Sequence, residues 1–424
     1  MKYAKLSLIF VMAIVIWGGS VFAALDQGWG HSTVAKTGEN QAFAAAAQDI
    51  AEQRSTGNVS FALIEDGTPI ADFYLSKGER IDGQTVFQVA SLGKWLTAWG
   101  VMALVEDGKI GLDEPVSTYV SRWQLPASQF DASGVTVRRL LSHTAGLTDR
   151  LGYNGFDTAQ DRQTLEVSLT KAADASPAKN GKTVLGSEPG SEWNYSGGSY
   201  TLLQLMIEEV SGKSFSEFMQ DQVFEPLGMD RTTFDHAKAI KLGLAQNFRP
   251  DGSTEPFRWY TALAATSLFT TSEDLTKFIS AQAPGATNAV LYAKTMALIR
   301  EPHASDMGAD IWGLGVMLYA SNNLGDFIIG HDGSNEPAIN TAARFDPATG
   351  DGIVVLSTGN TMLATEIAGE WVFWKTGNVD SLTFASRLPA AMTIFAAGVI
   401  IILLVASLLI WRGWRNRKAL SSPG

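Results

Sequence analysis

Phe87-Gln88-Val89-Ala90-Ser91-Leu92-Gly93-Lys94-Trp95-Leu96-Thr97-Ala98 places a serine and a lysine three residues apart at the start of an apolar run. On a helix, residues three apart share a face, with about 5–6 Å between their Cβ atoms. The Lys94 amine therefore reaches the Ser91 hydroxyl through its four-carbon stem. A serine hydroxyl is a weak nucleophile at neutral pH, but an apolar neighbourhood lowers a lysine's pKa and leaves part of its population neutral, able to take the hydroxyl proton. The alternative for Ser91 is a hydroxyl that only caps the helix. The same spacing recurs at Ser168 to Lys171 and at Ser176 to Lys179. Those pairs sit in a polar stretch from Asp157 to Lys182 that holds Pro177, Asn180 and Gly181, and they are expected to be solvated.

The 424 residues contain no cysteine, which removes disulfides, thiolate metal sites and thiol catalysis together. Serine remains as the nucleophile. The five histidines, His31, His143, His236, His303 and His331, have no metal-ligand spacing, so neither metal nor cofactor is expected.

Both ends of the chain are apolar. Lys2 and Lys5 precede the run Leu6 to Trp17, and Gly18-Gly19-Ser20-Val21-Phe22-Ala23 supplies small residues, so residues 1–25 read as a signal peptide or an N-terminal anchor. Residues 390–411 carry no charge and would form a helix of about 33 Å, enough for a bilayer core of about 30 Å. Arg412, Arg415, Arg417 and Lys418 follow in the tail 412–424, and basic flanks stay cytoplasmic. The body is thus expected on the extracytoplasmic side. Without its basic ends the formal charge of −11 becomes about −17 for the body, which disfavours nucleic acid as a partner.

Within the body, Gln41 to Gln53 reads as a helix. Asn58 to Glu65 and Pro69 to Leu75 read as strands of a hairpin closed by Asp66-Gly67-Thr68. Helical signals dominate from about Val135 to Gly228. Gly325 to Gly330, Asn340 to Phe345 and Gly352 to Ser357 read as a meander punctuated by Asp332-Gly333, before Thr365 to Trp374 returns to helix and Lys375 to Arg387 forms a polar lead. Strands at both ends with helices between predict an α/β (α+β) domain over 40–385, its antiparallel sheet flanked by helices, with a helical region of about 130–255 inserted.

The order of features resembles the serine β-lactamase and penicillin-binding-protein superfamily, in its class C and D-Ala-D-Ala carboxypeptidase or esterase-like branch. Besides Ser91-Leu92-Gly93-Lys94, the resemblance rests on Leu140 to Leu147, Trp193 to Gly198, Phe224 to Met229, Ser267 to Leu275 and Gly330 to Ser334. It implies that Tyr195 relays protons with Lys94, a role for which a nearby ammonium would favour the phenolate. It also implies that His331-Asp332-Gly333 is the third motif, with His331 and Gly333 lining the cleft, and that the backbone N–H groups of Ser91 and Ser334 hold the oxyanion. Lys-Thr-Gly occurs at Lys36 and Lys375, but no strands follow either in the order the resemblance requires. His143 resembles a structural turn of the family, and no Gly-x-Ser-x-Gly elbow supports an α/β-hydrolase reading.

One departure stands out. Where the family's second motif often reads Tyr-x-Asn, this chain has Tyr195-Ser196-Gly197. The missing amide speaks against efficient β-lactam hydrolysis and leaves ester and peptide chemistry open. The expected function is acyl-enzyme formation at Ser91 on amide, ester or β-lactam carbonyls of a small-molecule or peptide substrate, cell-wall derived among the candidates. The competing expectation is a silent peptidoglycan- or peptide-binding module on a membrane anchor.

Overall fold

The computed structural model describes residues 2–176, 181–336 and 338–420. Lys179 of the second decoy pair and tail residues 421–424 lie outside the described residues. The chain divides into two units: Val34–Thr376, and the paired ends before and after it.

In chain order, α1 (Lys2–Asp26) is followed by α2 (Asn40–Arg54), β1 (Val59–Glu65), β2 (Thr68–Leu75), β3 (Phe87–Gln88) and α3 (Gly93–Glu106). Then come α4 (Val137–Leu141), α5 (Leu165–Lys171), α6 (Gly197–Ser211), α7 (Phe215–Met219) and α8 (His236–Lys241). The short strands β4 (Asn247–Phe248), β5 (Thr254–Glu255) and β6 (Phe269–Thr270) surround α9 (Leu263–Thr266), and α10 (Ser272–Ser280) and α11 (Ala293–Arg300) follow. The chain closes with β7 (Ala304–Asp306), β8 (Ala309–Trp312), β9 (Met317–Ser321), β10 (Phe327–Asn335), β11 (Ile339–Phe345), β12 (Gly352–Thr358), α12 (Leu363–Thr376) and α13 (Ser381–Leu420).

The main sheet is antiparallel in the order β2-β1-β12-β11-β10-β9-β8-β7. The expected hairpin is β1–β2, turned at Asp66 and Gly67, both at positive φ, the backbone that two-residue hairpin loops favour. β1 also pairs with β12, so the two ends of the body close one sheet. Two expectations are corrected here. Asp332-Gly333 does not interrupt the meander but lies inside β10, because Gly333 is needed for a close approach described below and Asp332 is paired through its side chain. The polar lead is not a linker throughout, since Lys375 and Thr376 belong to α12 and Ser381 to Arg387 already belongs to α13.

Helix α3 occupies the core. Every residue from Gly93 to Met102 is buried, as expected for a helix apolar on all faces. Trp95 and Trp99 both meet the Phe278 ring edge-on at 4.9 Å. Within 130–255 the helices α4 to α8 are short apart from α6, and residues 142–158 run as turns and loops. Ser168 is fully buried on α5 rather than solvated, because it lies on the inward face with Leu165 and Leu169.

In the other unit, α1 and α13 pack against each other. Trp17 Nε1 donates to the Phe395 carbonyl at 3.1 Å, and the Phe22 and Phe384 rings meet edge-on at 5.9 Å. Gly398 makes room for the Trp17 indole, where a Cβ would fall 2.0 Å from Nε1. Leu8–Asp26 and Ser381–Arg415 are both long and apolar enough to cross a membrane.

Candidate active site

Ser91 sits in a short 3-10 turn, Ala90–Leu92, that leads straight into α3. Ala90 takes φ +48, a left-handed conformation that a non-glycine residue adopts at a cost, so the turn holds Ser91 in a defined, strained position. Lys94, one turn on, is only 2 % exposed, and its Nζ donates to Ser91 Oγ at 3.0 Å and to the Ala265 carbonyl on α9. Burial lowers the Lys94 pKa to about 7. Near neutral pH much of the amine is therefore uncharged. With one N–H held by Ala265, its lone pair is available to the Ser91 hydroxyl.

Tyr195 precedes α6. Its phenol shares a hydrogen bond with Ser91, and the Lys94 ammonium position lies 5.0 Å from its ring centre. Burial pushes the Tyr195 phenol up, with the Ser91 hydrogen bond opposing more weakly. Of the two forms the relay could use, this favours the phenol over the phenolate, because desolvation outweighs the Ser91 hydrogen bond.

The loop carrying Tyr195 is clamped from two sides. Ser196 Oγ accepts from Ser199 N–H at 2.9 Å, capping α6, and donates to buried Asp149 Oδ2 at 2.8 Å. Ser196 N–H donates to His143 Nδ1 at 3.1 Å, and the His143 carbonyl accepts from Asn194 N–H at 2.8 Å. The His143 ring lies 4.5 Å from the Tyr195 ring, so its structural expectation extends to holding Tyr195 in place. Burial keeps His143 neutral, with Lys94 adding to the effect.

Across the cleft, β9 pairs with β10 through Phe327–Gly330, so from His331 to Asn335 that edge of β10 has no strand partner among the described residues. The segment is held instead to the nucleophile turn. Thr341 Oγ1 on β11 donates to the Val89 carbonyl at 2.8 Å, and a Cβ at Gly333 would fall 1.9 Å from that same oxygen. His331 is buried, its Nδ1 2.6 Å from the Asp332 carbonyl, which assigns the proton to Nδ1. Burial, assisted by Lys94, lowers its pKa to about 3, so the ring is neutral. Ser334 is exposed at the cleft edge.

Ser91, Lys94 and Tyr195 are thus brought together, with His331 and Gly333 on the facing strand. Neither Lys-Thr-Gly enters this site: Lys36 pairs with Glu39, and Lys375 pairs with Asp351. Three contributors carried no local sequence signal. Trp312 on β8 packs against His143 at 4.9 Å, Tyr195 at 5.7 Å and His331 at 5.4 Å. Asp149 anchors Ser196, and Ala265 acts only through its backbone carbonyl.

A serine with a buried lysine, a phenol from a helical lobe and a facing edge of antiparallel sheet define the serine β-lactamase and penicillin-binding-protein class of fold. The chain belongs to the beta-lactamase family, whose description matches residues 43–371. It is 36% identical over 149 residues to penicillin-binding protein 4* of Bacillus subtilis (strain 168), covering 35% of this chain and 30% of that protein. It is 27% identical over 316 residues to penicillin-binding protein 4 of Amycolatopsis lactamdurans, covering 69% and 79%. The chain thus spans under a third of the first relative's length. Among solved structures, the octameric penicillin-binding protein homologue from Pyrococcus abyssi shares the fold, with TM-score 0.68 at 23% identity over 80% of this chain and 78% of that one. D-amino acid amidase from Ochrobactrum anthropi SV3 also shares it, with TM-score 0.60 at 22% identity over 78% and 98%.

Proposed function

We propose that the chain is a membrane-anchored serine hydrolase that forms an acyl-enzyme at Ser91 on amide and ester carbonyls, its body, about 40–385, outside the cytoplasm. The observation that carries this reading is the buried Lys94 amine, hydrogen-bonded to Ser91 and fixed from behind by the Ala265 carbonyl. Ser91 Oγ attacks the carbonyl carbon and its proton passes to neutral Lys94. The oxyanion is held by the Ser91 and Ser334 N–H groups. As the tetrahedral intermediate collapses, Tyr195 gives its proton to the leaving nitrogen or oxygen and regains one from Lys94. Water then attacks the ester by the reverse route, which returns a proton to Ser91.

Relatives named for penicillin binding and a fold neighbour named for D-amino acid amide cleavage support D-amino-acid peptides, amides or esters as the substrate class, with β-lactams as acylating mimics. The packing of α1 on α13 supports an N-terminal helix retained as a second anchor rather than a cleaved signal. Lys2 and Lys5 then lie at the same membrane face as the basic residues from Arg412 on, as the positive-inside rule requires.

Intact mass spectrometry of the detergent-solubilised full chain tests both parts. After fluorophosphonate treatment, an adduct that maps to Ser91 and is lost in Ser91→Ala supports the hydrolase; folded protein without any adduct favours the silent binding module. The mass of the untreated chain shows whether residues 1–23 remain.

A further inference from the structure

Residues 149–151 hold the three residues that follow Tyr195. Ser196 Oγ donates to Asp149 Oδ2 at 2.8 Å, and Gly197 N–H donates to the Leu151 carbonyl at 2.9 Å. Gly198 lets the carboxylate come close, since a Cβ there would fall 2.4 Å from Asp149 Oδ2. Asp149 is itself fixed, because its Oδ1 accepts from Leu151 N–H at 2.9 Å. The side chain is buried, and no step of the acyl transfer uses it. Burying a charge is costly, and burial pushes the Asp149 carboxyl up to about 6. The Leu151 N–H, the Ser196 hydroxyl and the Gly198 N–H oppose that rise, so the carboxylate form prevails at neutral pH.

The direction of one hydrogen links Asp149 to Tyr195. Ser196 has a single hydroxyl hydrogen, and a carboxylate can only accept, so that hydrogen is committed to Asp149. The Ser196 Oγ lone pairs are thereby turned to Ser199 N–H, at 2.9 Å, in the first turn of α6. On the other side of the loop, Asn194 N–H and Ser196 N–H donate to the carbonyl and to Nδ1 of His143. Tyr195 thus stands between two grips, one on the backbone from His143 and one on the Ser196 side chain from Asp149. Its phenol is held at Ser91 by a loop that has little room to turn. Removing the carboxylate frees the Ser196 hydroxyl and loosens the second grip.

We propose that Asp149 is a positioning residue for Tyr195, holding the phenol, through Ser196, where it gives its proton to the leaving atom. This rests on the hydrolase reading and deepens it. A group that positions the proton donor matters in proportion to the leaving group's need for a proton. An ester with a stable leaving anion is acylated with little help, whereas one with a basic leaving group depends on the donor. A carboxylate that served stability alone would lower both rates by the same factor, through the amount of folded enzyme.

The test uses the detergent-solubilised full chain with p-nitrophenyl acetate and phenyl acetate, which share an acyl group and differ in how basic the leaving phenolate is. The readout is the ratio of their kcat/KM values, p-nitrophenyl over phenyl, on one protein sample, so the active fraction cancels. The unsubstituted chain is expected to show a ratio of about 10 or less, and Tyr195→Phe a ratio of about 100 or more. Asp149→Ala should raise the ratio at least about fivefold, and Ser196→Ala, which removes the same hydrogen bond from its other end, should raise it in the same direction. Where Asp149→Ala gives no folded protein, the Ser196→Ala ratio decides. An unchanged ratio in the folded variants, with that of Tyr195→Phe raised, overturns the role of Asp149 while the hydrolase stands. An unchanged ratio in Tyr195→Phe overturns Tyr195 as the donor and this role with it. Turnover of neither ester by the unsubstituted chain, with no fluorophosphonate adduct, overturns the hydrolase reading and this role together.

Discussion

Lys94 Nζ is shared between Ser91 Oγ, at 3.0 Å, and the Ala265 carbonyl, so the amine proposed to deprotonate Ser91 is oriented before substrate arrives. The titration of Lys94 near 7 sets the pH dependence. Below that pH the ammonium cannot accept a proton; above it the amine can. The second-order rate of fluorophosphonate labelling should therefore rise through about pH 7 to a plateau. Lys94→Met should abolish the rise and lower the plateau by about 10³-fold. The same shift acts on stability. The unfolded chain keeps this proton up to its ordinary value of 10.5 while the folded chain releases it near 7, so the unfolded state binds more protons between those values and stability rises with pH across that window.

His331 offers a rival explanation for a rise near neutrality, and the structure separates the two. Its ring titrates at about 3, held neutral by burial and by Lys94. His331→Ala should slow labelling by about tenfold through lost support for Trp312 and the strand, while the midpoint of the pH profile stays near 7. A profile that loses its rise in His331→Ala would assign the limb to the histidine.

What was legible in the sequence follows the range of the interactions. Ser91 and Lys94 are three residues apart, the β1–β2 turn is local, and the apolar ends are compositional, so each is written in a short window. Tyr195 and His331 became readable through the resemblance, because nothing within ten residues of either shows that they meet. Trp312 and Asp149 act only across the fold. Asp332-Gly333 has turn composition, yet tertiary packing places it in a strand, where glycine is required by the approach of Val89 rather than by a bend.

Two glycines should therefore resist substitution for reasons unrelated to turns. Gly333→Ala puts a methyl 1.9 Å from the Val89 oxygen and 2.4 Å from Thr341 Oγ1, and both atoms are tied to each other by a hydrogen bond. The strand has to move away from Ser91. We expect a loss of about 3 kcal/mol in denaturant unfolding and labelling slowed by at least about tenfold. Gly197→Asn, which would rebuild the commoner second motif, should not yield a faster β-lactam hydrolase, because the Leu151 carbonyl already occupies the space. Nitrocefin hydrolysis above that of the unsubstituted chain would contradict this.

Asp332, the middle residue of the third motif, faces away from the cleft and holds the strand from behind. Its carboxylate accepts from fully buried Arg344 on β11, from Tyr319 on β9 at 2.7 Å and from Thr365 on α12 at 2.5 Å, and Arg344 also stacks over the Tyr319 ring at 3.4 Å. A buried guanidinium deprived of its carboxylate is costly, so Asp332→Ala should destabilise by about 3–5 kcal/mol. Thr365→Val removes one hydrogen bond to the same carboxylate and the one that Thr365 Oγ1 accepts from Asn340 Nδ2 at 3.0 Å, and should cost about 2 kcal/mol. Because β10 carries His331, Gly333 and Ser334 toward Ser91, the two variants should slow fluorophosphonate labelling in the same order as they lose stability. Equal labelling by Asp332→Ala and the unsubstituted chain, at a temperature where both are folded, would show that this anchor serves stability alone.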